Sequence, residues 1–146
     1  MSITLRGITW DHARGFAPMA ATAARWHERH PEVEVVWEKR SLQAFADESI
    51  ASLAQRFDLL AVDHPSMGEA AAHRLFVPLE QHLPAEFLRD QAANSVGASY
   101  ASYAINGSQW ALPIDAAAPI AGWREDVLVA FCGWPIDCLM YFMRSA

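Results

Sequence analysis

The chain has 146 residues, the size of one ordinary domain with a single hydrophobic core. Hydrophobic residues make up 53% of it and charged residues 19%, a balance that is typical of globular proteins and excludes a disordered chain. The net charge is −6, with ten arginines but only one lysine, Lys39. An acidic chain without a basic run is poorly suited to phosphate backbones, so no nucleic-acid partner is expected.

Motifs for membranes, nucleotides and metals are missing from the sequence. No run of eighteen apolar residues occurs, so no membrane span is predicted, and the first ten residues lack the pattern of a signal peptide. A Gly-Lys-Ser/Thr loop and a GxGxxG motif are also lacking, so no cofactor is predicted. Cys132 and Cys138, the only cysteines, define neither a disulfide framework nor a zinc site.

Residues 1–75 alternate between the hydrophobic patterns of strands and helices. Short apolar or alternating runs predict three strands, at 3–9, 33–38 and 58–62. Three- and four-residue spacing predicts a first helix ending near His30 and a second, continuous helix from Ser41 to Phe57. A third, short helix begins near Ser66. This β-α-β-α-β-α order predicts a parallel sheet joined by right-handed crossovers.

A different pattern follows Leu75. Pro84 is expected to open a helix that runs to about Ala93, and Asn106-Gly107 predicts a two-stranded hairpin. A strand at 116–123 and a helix beginning at 124 are expected next. The predicted fold class is therefore α/β, with a mostly parallel sheet flanked by helices and an antiparallel segment near the end. Trp26 and Trp37 are expected in the core.

Polar residues follow each of the three predicted strands. In an open parallel sheet, the ligand crevice lies beyond the carboxyl ends of the strands. The three clusters are therefore expected at one edge of the sheet. They are Trp10-Asp11-His12, Arg40-Ser41 and Asp63-His64.

Three kinds of site could use these clusters. Metal binding is disfavoured, because neighbouring residues at a strand end point in different directions and each Asp-His pair would supply one ligand. A hydrolase would pair His12 or His64 with Asp63 and need a nucleophile. Ser41 and Ser66 are available, but neither lies in a Gly-x-Ser-x-Gly elbow, and helix capping explains both more simply.

A binding cleft is the interpretation that requires the fewest special features of these residues. Carboxylates and imidazoles at its rim can hydrogen-bond the hydroxyls of a polar ligand, and Trp10 offers a flat apolar face. Packing in the core is an equally good interpretation of Trp10.

An ordered set of motifs resembles the N-terminal part of the extracellular solute-binding proteins of bacterial ABC importers, of the maltose-binding type (family 1). The resemblance spans residues 3 to about 129. The motifs are, in order, "TWD", "RWHERHPEVEVVWEKRSLQAF", "FDLLAVDHPSMGEA", "LFVPLEQHL" and "NGSQWALPIDAAAPIAGWREDVL".

The resemblance implies a periplasmic-binding-protein-like (class II) lobe that binds a solute, often a sugar, and delivers it to an ABC permease. Such proteins are not enzymes, and they work in the periplasm or elsewhere outside the cytoplasm. Carried over to this sequence, the resemblance implies eight ligand contacts. These are Trp10, Asp11, His12, Arg40, Ser41, Asp63, His64 and Asp115.

The resemblance divides the chain into a first lobe, residues 1–130, and an atypical tail, residues 131–146. The tail reads "FCGWPIDCLMYFMRSA", and it does not resemble the family after Pro135. A truncated or frameshifted reading frame is the expected origin of this tail, and a non-binding truncated product is then a further alternative.

Overall fold

Strands and helices alternate along the first half of the chain, as the hydrophobic pattern predicts. The computed structural model describes residues 2–117. The elements follow in the order β1 (Ile3–Trp10), α1 (Ala13–Arg29), β2 (Val33–Arg40), α2 (Leu42–Asp47), α3 (Ile50–Ala54), β3 (Leu59–Leu60), α4 (Met67–His73), α5 (Ala85–Asn94), β4 (Ala104–Ile105) and β5 (Ser108–Gln109). Short 3₁₀ turns lie at His64–Ser66, Leu79–Gln81 and Ala101–Tyr103.

The first three strands form a parallel sheet in the order β2-β1-β3. β1 and β2 pair over their full length, from Ile3 with Val33 to Trp10 with Arg40, and β3 pairs with Gly7 and Ile8 on the other side of β1. The predicted α/β class and parallel sheet are confirmed. Since all three strands run the same way, their carboxyl ends lie at one edge.

Helices cover both faces of this sheet. Ile8 packs with Leu53 of α3 and with Phe57, whereas the next residue of β1, Thr9, donates its hydroxyl to the carbonyl of Gly15 in α1. Neighbouring residues of a strand point to opposite faces, so α1 and α3 lie on opposite sides of β1. Right-handed crossovers produce this arrangement when the chain moves first to one side of β1 and then to the other.

The single helix expected from Ser41 to Phe57 is wrong, because the chain forms two short helices instead. Glu48 and Ser49 between them have extended backbone angles. The Glu48 carboxylate accepts a hydrogen bond from Arg56 at 2.6 Å and lies 3.9 Å from the guanidinium of Arg40. A continuous helix would remove the turn that places Glu48 beside Arg40 and Arg56. The spacing of the apolar residues does not reveal the need for this turn.

Two predictions are corrected, one of burial and one of strand length. Trp26 is 48% exposed, and it stacks on His30 at the C-terminal end of α1 instead of entering the core. The third strand is shorter than the expected 58–62, because β3 comprises only Leu59 and Leu60, and Leu59 is 38% exposed. Trp37 is half-buried, and its ring packs directly on Gly7 of β1.

The second half of the described chain packs on α4. Ile50, Met67 and Ala70 form a buried cluster, and Tyr103, Ile105 and Trp110 pack against it. β4 and β5 form the predicted antiparallel pair, and Asn106 and Gly107 between them have the positive φ angles of 54° and 82° that this two-residue turn requires. The hairpin is confirmed, as is the helix that follows Pro84.

The Glu80 carboxylate accepts hydrogen bonds from β5 of the hairpin. The Ser108 side chain and then backbone N–H groups, including that of Gln109 at 3.1 Å, hold the pKa of Glu80 below its usual value. A lowered pKa in the folded state means that Glu80 contributes stability above its unfolded pKa of about 4.3, and that this contribution is lost as the pH falls through the lower folded pKa.

Glu80→Gln is therefore expected to lower the melting temperature at pH 7, by about 2–4 °C given the exposure of the side chain. The difference from the parent should shrink below pH 4, since the parent then loses the same charge. Thermal unfolding followed by circular dichroism at both pH values measures it. Glu34→Gln, at an exposed strand carboxylate, is the matched control, and an equal shift in both variants would contradict the role given to Glu80.

None of the helices within residues 2–117 is long and apolar enough to cross a membrane. The described residues up to Ala116 belong to one compact unit. The strand expected at 116–123, the helix expected from 124 and the tail at 131–146 lie outside the described residues or extend beyond them.

Candidate functional site

The carboxyl ends of the three parallel strands are joined by hydrogen bonds. The backbone N–H of Asp11 donates to the carbonyl of Arg40 at 2.8 Å, and the Arg40 guanidinium donates to the carbonyl of Ala61 at 3.2 Å. These bonds connect the residues that follow β1, β2 and β3. The structure therefore brings together the three predicted clusters, Trp10–His12, Arg40–Ser41 and Asp63–His64, and we call this region the strand-end edge.

The buried side chain of Arg40 links two strands at this edge. Only 7% of the residue is exposed, and its guanidinium reaches both Ala61 and, at 3.9 Å, the carboxylate of Glu48. Burial lowers the pKa of Arg40, while the nearby carboxylates of Glu48 and Asp63 oppose that shift. In this position Arg40 holds the ends of β2 and β3 together.

Asp11 is exposed and forms an ion pair with a lysine. The ammonium group of Lys39 lies 2.9 Å from a carboxylate oxygen of Asp11. The same ammonium lies 5.1 Å from the ring centre of Phe16 in α1, a cation–π distance. Lys39 precedes Arg40 at the end of β2 and is not among the predicted site residues.

His12 and Ser41 both cap helices. The Nδ1 atom of His12 accepts a hydrogen bond from the backbone N–H of Arg14 at 3.1 Å, and Ser41 accepts one from Ala44 at 3.1 Å. The capping role predicted for Ser41 is confirmed. Ser66 precedes α4, but its side chain makes no capping hydrogen bond. Because Nδ1 of His12 is an acceptor, the proton of the neutral ring is on Nε2, which can donate to a ligand.

Tyr103 brings the second half of the chain to the edge. Its hydroxyl donates to the carbonyl of Val62 at 3.2 Å, next to Asp63. Burial raises the pKa of the Tyr103 hydroxyl, and the nearby negative charges of Asp63 and Asp115 add to the effect. The sequence offered no signal for Tyr103 beyond its place just before the predicted hairpin.

Asp115 joins the same region through Arg14. Their side chains approach to 3.5 Å, between the first turn of α1 and the segment after the hairpin. Asp115 is 52 residues from Asp63 along the chain, yet both influence Tyr103. Asp63 and Asp115, two of the predicted site residues, therefore lie around Tyr103 although they are far apart in the sequence.

Trp10 is half-buried at the end of β1 and packs on Gly15 of α1. A Cβ atom placed on Gly15 would lie 2.5 Å from the indole ring, so the ring sits as close to this helix as a glycine permits. Both interpretations of Trp10, packing and ligand contact, are compatible with a half-buried ring that has one face against a helix.

Across residues 2–117, no three His, Cys, Asp or Glu side chains come close enough together to hold a metal ion.

Comparison with known proteins adds no assignment. No protein-family model matches the chain, and no curated protein matches it.

Proposed function

We propose that this chain is the first lobe of a solute-binding protein of an ABC-type uptake system, with a class II periplasmic-binding-protein-like fold. The proposed ligand is a carbohydrate, and no catalytic step is proposed. The observation that carries this proposal is the parallel register of β1 with β2 and β3, which gathers the three polar clusters at one edge. Crevices beyond the carboxyl ends of parallel strands are where open α/β sheets bind ligands.

The chemistry of the edge suits hydroxyl groups. Asp11, Asp63 and Asp115 supply carboxylate acceptors, and all three are exposed. His12 supplies an Nε2 donor, and His64 is exposed beside Asp63. In the proposed site these side chains replace the water around a sugar, and the indole of Trp10 packs against its apolar face.

Two of the eight proposed residues act indirectly. Arg40 is buried, with its guanidinium bonded to Ala61, and Ser41 caps α2. We assign both the task of fixing the backbone from which the contacting side chains project. The proposed partner is a membrane permease that receives the solute, and the proposed location is outside the cytoplasm.

Isothermal titration with a panel of neutral oligosaccharides tests the proposal. At least one should bind, and Trp10→Ala should weaken that binding by about 3–10-fold, the range expected for one lost aromatic contact. Trp26→Ala is the matched control, because Trp26 stacks on His30 at the far end of α1 and should leave the affinity unchanged. Circular dichroism of each variant checks that the fold is intact.

The proposal fails if no neutral oligosaccharide binds at concentrations up to about 10 mM, a limit already weaker than the affinity of a useful transport ligand. It also fails if Trp10→Ala and Trp26→Ala weaken binding equally, since the ligand would then lie elsewhere.

A further inference from the structure

Within residues 2–117, the lysine and arginine side chains at or next to the strand-end edge each lie beside a carboxylate. Lys39 lies 2.9 Å from Asp11, and Arg14 lies 3.5 Å from Asp115. Arg40 lies 3.9 Å from Glu48, which also accepts a hydrogen bond from Arg56. A ligand that reaches this edge therefore meets cations whose charge is largely balanced by neighbours.

Asp63 has a different environment. Its side chain is exposed, and within residues 2–117 no Lys, Arg or His nitrogen lies within 4.0 Å of its carboxylate. Arg40 is close enough to interact with it electrostatically, but the Arg40 side chain is only 6% exposed. Solvent and ligand can therefore contact the carboxylate of Asp63 but not the buried guanidinium of Arg40.

The position of Asp63 is also well defined. The hydroxyl of Tyr103 donates to the carbonyl of Val62, and Met67, four residues after Asp63 and the first residue of α4, is fully buried against Ile50. The chain on either side of Asp63 is thus fixed to the core, so its carboxylate projects from a rigid segment. A charge on a rigid segment loses less entropy when it binds a ligand than one on a mobile loop.

We propose that the strand-end edge selects its ligand by charge, favouring a polyhydroxylated ligand that carries a protonated amino group beside Asp63 over a neutral one, and disfavouring sugar acids and sugar phosphates. This inference rests on the proposed function and deepens it by naming the chemical class of the ligand. An exposed carboxylate strengthens binding of an ammonium group only modestly, so the expected preference is about 2–5-fold at low salt. It should decrease as the ionic strength rises from about 0.01 to 1 M.

Three trisaccharides test the inference by isothermal titration: cellotriose, which is neutral, the fully deacetylated glucosamine trimer, which is cationic, and trigalacturonate, which is anionic. The glucosamine trimer should bind about 2–5-fold more tightly than cellotriose, and trigalacturonate most weakly. Asp63→Asn should lower the ratio of the affinity for the glucosamine trimer to that for cellotriose to about 1, and this ratio is the readout because Asp63 is itself a proposed sugar contact.

Glu34→Gln is the matched control for the overall negative charge. Glu34 is exposed on the same strand as Arg40, six residues away and roughly 20 Å from the strand-end edge. This variant removes the same charge as Asp63→Asn but should keep the preference for the glucosamine trimer. Loss of the preference in both variants would assign it to net charge and overturn the role of Asp63.

The outcomes separate this inference from the proposed function. Binding of cellotriose without a preference for the glucosamine trimer, or tightest binding of trigalacturonate, overturns the charge selection and leaves sugar binding standing. Failure of all three trisaccharides and of the neutral panel overturns both.

Discussion

Leu53→Ala is expected to destabilise the protein by about 2–5 kcal/mol, the range for truncating a large side chain in a packed core. Leu53 is 0% exposed and packs with Ile8 and Phe57, so it joins α3 to the central strand of the sheet. Alanine removes most of the side chain and leaves a cavity that the sheet cannot fill without moving. Urea unfolding followed by circular dichroism measures the change in the free energy of unfolding.

Leu42→Ala supplies the matched control, because it makes the same change in the preceding helix. Leu42 is 71% exposed, so its loss should change stability by no more than about 0.5 kcal/mol. The core placed between α3 and β1 would be wrong if both substitutions had similar effects, or if Leu53→Ala were neutral.

Gly15→Ala is expected to destabilise the protein by about 1–3 kcal/mol, although alanine is the better helix former. A Cβ at position 15 would lie 2.5 Å from the indole ring of Trp10 and 2.7 Å from its carbonyl oxygen. The ring could turn aside, but the carbonyl belongs to the backbone of β1 and cannot. The first turn of α1 would have to move off the strand and stretch the hydrogen bond between Thr9 and the carbonyl of Gly15.

Gly68→Ala should have the opposite sign. Gly68 lies in α4, and no atom beyond its chain neighbours and the helix's own backbone lies within 4 Å of where its Cβ would be. Alanine should therefore stabilise the protein by about 0.5–1 kcal/mol through helix propensity alone. Denaturant unfolding of the two variants checks both signs, and a stable Gly15→Ala protein would mean that Trp10 does not pack on α1 as described.

Local sequence patterns predicted those elements whose structure depends on near neighbours. The apolar runs of β1 and β2, the periodicity of α1 and the Asn-Gly turn each encode their element within a few residues. Parallel pairing followed from the alternation of these elements, and with it the meeting of the three polar clusters at one edge.

Features that depend on distant residues were not predictable in this way. The break between α2 and α3 places Glu48 beside Arg40 and Arg56, and the helical spacing of the apolar residues around it gives no sign of that requirement. Trp26 continues the apolar stripe of α1 but lies beyond the part of the helix that packs, where His30 is its neighbour.

The members of the candidate site were only partly predictable for the same reason. Lys39, Arg14 and Tyr103 became part of it through contacts with Asp11, Asp115 and Val62, and each contact joins separate elements. A strand-end rule identifies residues that follow strands. It cannot identify those that reach the same place from a helix or a hairpin.

The position of Lys39 has a practical consequence for handling the protein. Lys39 and the terminal α-amino group are the only primary amines in the chain, and Lys39 lies beside Asp11. Coupling through amines to a sensor chip or a resin would anchor many molecules by the strand-end edge and hide it. A fluorophore attached to Lys39, in contrast, would report directly on whatever arrives there.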